Sequence, residues 1–409
     1  MVVWRLTGFV VLIGVALTGA WLFAHGVADQ WFRWRHVAGG LGFTDPACAI
    51  PFCDFPLFWE AGRLAWLHEP QRIYDNAAFL AATSQAVAPH VNALPFPYPP
   101  TTLLLAALMS LPPMVAGYYC FSAVSVLAGV VLLRMAGLSW WIIAVGAVGL
   151  PAMWNLYLGQ VGFLCAVLLF FGLMRLERWP VASGLMLAGL CVKPQYAILI
   201  PIVVLASRNV RALVAGGVAL GALLVLSVIV FGWQAWAEFL GPGRATMQAL
   251  LQAPFRPGYE YLGASMFWLA RSFGSGVGVA YALQIGVIII CAVLCWMLWR
   301  RPTDNPAVRV ALTVCLVLVA NPHAYTNDLI AYSVVLPTLA RRETPVMNAL
   351  LAILWIAPAV SARFVEAFGF LPLPFCLLAT GVIASLRLRD ASPGWRSWHI
   401  APVRGNVVS

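Results

Sequence analysis

The sequence predicts an all-α polytopic integral membrane protein, with about twelve transmembrane helices and a long first outer loop. Three observations carry this. Of the 409 residues, 62% are hydrophobic and only 9% charged, against about 25% charged in a soluble domain. Apolar runs recur from end to end, many approaching the roughly 20 residues that cross a bilayer. The arginines concentrate in alternate loops, the pattern of the positive-inside rule.

Arginine supplies 23 of the 24 basic residues, and Lys193 is the only lysine. In so apolar a chain the net charge of +10 reports topology and membrane lipids as neighbours; no nucleic-acid partner is expected. The nine cysteines show no paired metal-ligand spacing, and no metal site is expected. Most of them sit in apolar runs and read as packing.

Residues 6–24 are long enough to span. With so much membrane downstream, an uncleaved first span is expected rather than a cleaved signal peptide. Residues 25–98 make the first outer loop, with two amphipathic interfacial helices. The first runs from Pro56 to about Glu69, because the fixed φ of proline suits a first helical turn. Its aromatic face (Phe58, Trp59, Trp66) suits headgroup depth. The second runs from Asp75 to about Ala88, with Asp75 as its start signal. PFPYPP (Pro95–Pro100) is a rigid extended piece. Thr101–Leu111 is half a bilayer long at 1.5 Å per residue and reads as a re-entrant or interfacial helix.

Spans are expected at about 114–136, 138–154 and 161–175, with NLYLGQ (Asn155–Gln160) a polar turn between the last two. Val181–Ser207 is too long for one straight span and carries a charge near its centre. It reads as two short helices meeting at Lys193-Pro194-Gln195, a break of the kind tolerated where it lines a cavity. Spans at about 210–231 and 277–299 flank a second outer loop, 232–276. Four more follow at about 306–320, 326–340, 346–362 and 372–387. NPHAYTND (Asn321–Asp328) joins the first two of these, and 388–409 is a cytoplasmic tail. The chain reads as a single domain, 1–409.

With the N-terminus cytoplasmic, fifteen basic residues stand with four acids on the cytoplasmic side, and nine with ten on the other. This predicts a plasma-membrane (inner-membrane) protein with both termini cytoplasmic. It also puts Asp54, NLYLGQ, the Lys193 break, the 232–276 loop and NPHAYTND on one outer, periplasmic face.

Asp54 sits among Phe52, Phe55, Phe58 and Trp59. It reads either as a general base or as a helix N-cap. With Pro56 first in the helix the cap falls to Phe55, which leaves the Asp54 carboxylate free. A lysine at mid-span costs about 2.5–3.5 kcal/mol on insertion scales. Lys193 therefore reads as a phosphate contact, a snorkelling side chain, or the partner of a buried acid. Asn155, Gln160, Gln195, Asn327 and Asp328 share the outer face, and their convergence suggests a site. His323 has no second histidine at helical spacing. No Ser-His-Asp order and no glycine-rich phosphate loop is present. Cys48 and Cys53, just before Asp54, are either a disulfide bracing it or two free thiols.

Seven segments, in order, resemble glycosyltransferase family 87, the polyprenyl-phosphate-mannose-dependent mannosyltransferases of the GT-C superfamily. They are DFPLFWEAGRLA (54–65), IYDNAAF (73–79), PFPYPP (95–100), NLYLGQVGFL (155–164), GLCVKPQYAILIP (189–201), SMFWLARSFG (265–274) and NPHAYTNDL (321–329). The resemblance implies a GT-C-like fold and an inverting hexosyltransferase with a polyprenyl-phosphate-sugar donor and a lipid or glycan acceptor. It needs no cofactor, the lipid-linked sugar being a substrate. It makes Asp54 the base. It turns Lys193, Gln195 and Arg271 toward the donor, and places Trp59, Tyr98, Asn155, Gln160, Tyr325, Asn327 and Asp328 among the substrate-binding candidates. The family often has a second acid or a histidine where this chain reads Thr326-Asn327-Asp328; only Asp328 keeps an acid. Two competing readings are a flippase or transporter of lipid-linked sugars and a lipid-linked-glycan polymerase or ligase. The chain shows no internal repeat, and its acidic, aromatic outer loop favours an enzyme.

Overall fold

A computed structural model describes residues 54–87, 95–255, 259–340 and 344–389. The expected first span, Cys48, Cys53 and most of the cytoplasmic tail lie outside the described residues. Among the described residues all regular structure is helical, apart from one antiparallel bridge between Gly263 and Tyr325.

Helix α1 (Phe55–Trp66) begins one residue ahead of Pro56, so Asp54 and not Phe55 takes the cap position. Its carboxylate nonetheless makes no capping hydrogen bond. The helix ends before the expected Glu69. His68 adopts a left-handed φ of 56°, and Pro70 opens a separate short helix α2 (Pro70–Tyr74). Asp75 then caps α3 (Asn76–Ala86), accepting the Ala78 N–H at 2.8 Å, as its start signal predicted.

The half-bilayer helix α4 (Pro100–Met109) crosses α1 closely enough that a Cβ on Gly62 would lie 2.1 Å from the Ala106 carbonyl oxygen. The indoles of Trp59 and Trp66 donate to the Pro112 and Ala107 carbonyls, each at 2.9 Å. Phe58 is buried, its ring 4.9 Å from that of Tyr98. Phe58 on the aromatic face of α1 thus packs within the protein, while Trp66 stays 49% exposed.

Helix α5 (Met114–Met135) is a full span. The next expected span is instead a bent pair, α6 (Trp140–Ala147) and α7 (Leu150–Leu158), meeting at 57°. NLYLGQ is mostly the last turn of α7, not a loop. Gly159 ends that helix with φ +73°, the left-handed conformation that glycine adopts freely. After α8 (Gly162–Met174), the broken segment forms as expected. Helix α9 (Pro180–Ala188) runs into a 3₁₀ turn (Gly189–Val192), a second 3₁₀ turn follows Lys193 (Pro194–Ala197), and α10 (Ile200–Ala206) completes it.

Helix α11 (Val210–Glu238) kinks at Gly232, with φ 76°, and a π turn (Phe239–Gly243) joins it to α12 (Arg244–Gln252). The predicted second outer loop is therefore substantially helical, and includes α13 (Met266–Ser272). Helices α14 (Val277–Trp299), α15 (Pro306–Ala320), α16 (Ile330–Leu339), α17 (Pro345–Phe368) and α18 (Leu373–Arg389) follow.

The expectation of about twelve spans is not met. Among the described residues four helical runs are long and apolar enough to cross a bilayer: Met114–Met135, Val210–Gln252, Val277–Trp299 and Pro345–Phe368. The α6–α7 pair makes five if counted as one span. The other apolar runs fold as helices of 10–17 residues, shorter than the roughly 30 Å hydrocarbon core at 1.5 Å per residue. Apolar length misled the count because several of these runs are buried in protein. On α8, α15 and α16 most residues are buried. By contrast α11 and α14 expose Val218, Ile229, Ile289 and Ile290, as lipid-facing helices do. The result is a multi-pass membrane protein with a buried apolar core.

That core has two unlike ends. At one end the Arg175 guanidinium donates to the Met135 carbonyl at 2.6 Å, Arg309 pairs with Glu177 at 2.5 Å, and Arg134 bonds the Leu138 carbonyl. At the other end α7 stops, α8 starts and α15 stops, and the polar breaks gather there.

Candidate active site

Three chain breaks supply the site. Residues 158–160 lie against the start of α1: the Asp54 N–H donates to the Leu158 carbonyl at 2.9 Å, and Gln160 Nε2 donates to Asp54 Oδ2 at 2.6 Å. Gly159 makes that approach possible, since a Cβ there would stand 2.5 Å from Phe55 Cβ. Gly159→Ala combines a strained φ, about 1–3 kcal/mol, with this clash. It is expected to lower thermal stability in detergent by that order and to cut turnover further by moving Gln160 off Asp54. Wild-type melting and wild-type turnover together would contradict it.

The second break carries Lys193. Thr101 and Thr102 at the start of α4 donate to the Cys191 and Val192 carbonyls at 3.0 and 2.7 Å, which satisfies backbone acceptors that the 3₁₀ turn leaves open. Lys193 Nζ pairs with Asp328 Oδ1, with both side chains buried. Of the readings open in the sequence, pairing with a buried acid is the one present in the structure. The third break is the 3₁₀ turn Thr326–Asp328. Asp328 Oδ2 accepts the Tyr325 N–H at 3.2 Å, and its carbonyl accepts the Tyr196 hydroxyl at 2.9 Å. Asn155 ties the first break to the third: its Nδ2 donates to the Asn327 carbonyl at 3.3 Å, and its Oδ1 accepts the Phe163 N–H at 3.2 Å. Gly162 allows this packing, because a Cβ there would meet Asn155 Nδ2 at 2.6 Å.

Asp54 is 4% exposed. Burial pushes its carboxyl up from the ordinary 3.8 to about 6; the Gln160 hydrogen bond and the Lys193 charge pull it back, while Asp328 adds to the rise. Oδ1 accepts no hydrogen bond among the described residues. A buried carboxylate with one oxygen held and a proton affinity near neutrality has the properties of a general base.

The structure thus brings together Asp54, Tyr98, Asn155, Gln160, Lys193, Tyr325, Asn327 and Asp328. Gln195 is half-buried beside the Lys193 break. Trp59 is turned to the Pro112 carbonyl. Arg271 is held by the backbone: its Nη1 and Nη2 donate to the Ser275 and Ala253 carbonyls at 2.7 and 2.6 Å. Sequence reasoning missed Tyr196. Its signal was the 3₁₀ turn itself, in which residues three apart eclipse, so Tyr196 follows Lys193 on one face. His323 was weighed only as a metal ligand; it lies close enough to feel Asp328, while burial pushes its imidazole down to about 4. Among the described residues no three His, Cys, Asp or Glu side chains gather around a metal position.

The decisive comparison is with protein families. The family model described as glycosyltransferase family 87 matches residues 96–322, more than half of the 409 residues. The chain belongs to glycosyltransferase family 87. No curated protein and no solved structure matches it. Within family 87 the general chemistry is sugar transfer, and this member is a multi-pass membrane protein with several apolar spans. Asp54 itself lies upstream of the matched segment, but Tyr98, Gln160 and Lys193, which surround it, lie inside that segment.

Proposed function

We propose that this family 87 protein moves a hexosyl group, mannose by resemblance, from a polyprenyl-phosphate donor to a hydroxyl of a lipid or glycan acceptor. The observation that carries the reading is Asp54, buried, held through one oxygen, in the same cluster as Lys193. Asp54 takes the proton from the acceptor hydroxyl. The acceptor oxygen forms a bond to the anomeric carbon as the bond from that carbon to the phosphate oxygen breaks. The electron pair leaves with the polyprenyl phosphate, and the anomeric centre inverts. Lys193, the buried cation of the cluster and the partner of Asp328, is the group that would oppose the charge developing on the phosphate. The all-α membrane architecture agrees with the GT-C-like fold implied by the resemblance. The arginine-rich end of the core supports an outer, periplasmic position for the site at the opposite end of a plasma-membrane protein.

The test is transfer from labelled polyprenyl-phosphate-mannose by the full-length protein in membranes, across pH. Asp54 must be ionised to act, so kcat/KM is expected to be flat above about 6 and to fall tenfold per unit below it. Stability runs the other way. The folded chain holds this proton more tightly than the unfolded one, so acidification from about 6 toward 3.8 stabilises the fold while the rate falls. Movement of the intact donor across the membrane without transfer would replace this reading with a transporter.

A further inference from the structure

Tyr98 and Gln160, read from the sequence as substrate-binding residues, are both committed to Asp54. A carboxylate can only accept hydrogen bonds, so the amide of Gln160 must present its NH₂ to Asp54. This is the observed contact, Nε2 to Oδ2 at 2.6 Å. The amide oxygen then faces the other way and needs a donor. It finds one in the Tyr98 hydroxyl, at 3.0 Å. Tyr98 is fixed in turn: its carbonyl accepts the Tyr74 hydroxyl at 3.1 Å, and its ring packs on Phe58 and Phe96, with centroids 4.9 and 5.3 Å away. The far end is also clamped, by the Gln160 N–H donating to the Asn155 carbonyl at 3.0 Å. All three side chains are buried, which favours this one orientation of the amide.

We propose that Tyr98 and Gln160 are positioning residues, a hydrogen-bond relay that holds one oxygen of Asp54 away from the reaction and so presents the other to the acceptor hydroxyl. This rests on Asp54 being the base. Without the Tyr98 hydroxyl the amide loses what distinguishes its two ends, and an inverted amide sets its oxygen against the carboxylate. The relay also sets the basicity of Asp54, because a hydrogen bond to the charged form favours it. The other groups acting on Asp54 are Lys193, which favours the charged form, and Asp328, which opposes it; on α1 itself, Glu60 is already paired with Arg63 at 2.7 Å. Removing the Gln160 bond therefore raises the proton affinity of Asp54 while these charges stay in place.

The experiment compares wild type, Tyr98→Phe, Gln160→Met and the double variant, full-length in lipid nanodiscs. It has two readouts. One is kcat/KM against pH with labelled polyprenyl-phosphate-mannose. The other is the infrared band of the protonated Asp54 carboxyl, identified as the band lost in Asp54→Asn. In Gln160→Met the acid limb and the infrared titration are expected to move up together by about one pH unit. Turnover at the optimum should fall roughly tenfold, with donor KM within about twofold. Tyr98→Phe should shift both readouts the same way by less, and the double variant should match Gln160→Met, since both act on one bond. An unmoved infrared titration in folded Gln160→Met overturns the relay, as do additive shifts in the double variant. A titration that moves while the rate profile does not leaves the hydrogen bond intact and instead removes Asp54 as the base.

Discussion

Asp54→Asn is expected to lower turnover by about 10²–10⁴-fold, the usual loss when a general base is removed, with donor binding and thermal stability close to wild type. The expectation of normal stability comes from the geometry. Asp54 holds the cap position of α1 but its side chain bonds no backbone N–H there, so no cap is lost; asparagine would in any case cap as well. Asparagine can also turn its oxygen to Gln160 Nε2 and keep the 2.6 Å contact. Its substitution even removes a buried carboxylate whose ionisation burial opposes. What asparagine lacks is the ability to take a proton at pH 7. Transfer of labelled mannose by the variant in membranes, with melting followed in detergent, separates the roles. Retained turnover in a normally melting protein removes Asp54 from the chemistry. Asp328, the next acid in the site, is poorly placed to substitute, since one oxygen is paired with Lys193 and the other accepts the Tyr325 N–H.

Some of this was legible in the sequence because it rests on local rules. Proline and a central lysine broke residues 181–207 in the expected place. An aspartate ahead of an amphipathic run capped α3. Ordered motifs identified family 87. What was hidden depends on the third dimension. An apolar run of fifteen residues looks alike whether lipid or protein surrounds it, so α15, packed inside the core, was counted as a span. Polar letters in NLYLGQ suggested a loop, yet Asn155 bonds inward from a helix and only Gly159 turns the chain. Arg271 is a motif arginine, and nothing in its neighbours revealed that two backbone carbonyls occupy it. The polar residues of three breaks do come together, but which of them face one another is a matter of partners 62 to 172 residues away.

The second large effect concerns Lys193 and Asp328. Because the two are paired and buried, Lys193→Ala alone is a poor probe of donor binding: it leaves a buried carboxylate with no counter-charge, and breaking such a pair costs about 3–5 kcal/mol. Lys193→Met and Asp328→Leu are each expected to destabilise the protein by that order, seen as a large fall in melting temperature in detergent. The double variant removes both charges and should recover most of the loss, since well-packed apolar replacements of a buried pair are often neutral or better. The Tyr325 N–H and the Tyr196 hydroxyl bear differently on that recovery. Tyr196 bonds the backbone carbonyl of Asp328 and keeps its partner, whereas the Tyr325 N–H loses the carboxylate. Recovery should therefore be incomplete by about 0.5–1.5 kcal/mol, the net worth of one lost hydrogen bond. Function then decides between the remaining roles. If Lys193 opposes the charge of the leaving phosphate, the stable double variant still fails to bind the polyprenyl-phosphate donor. If the lysine only neutralises Asp328, donor affinity returns with stability, and the phosphate must be held by groups other than Lys193.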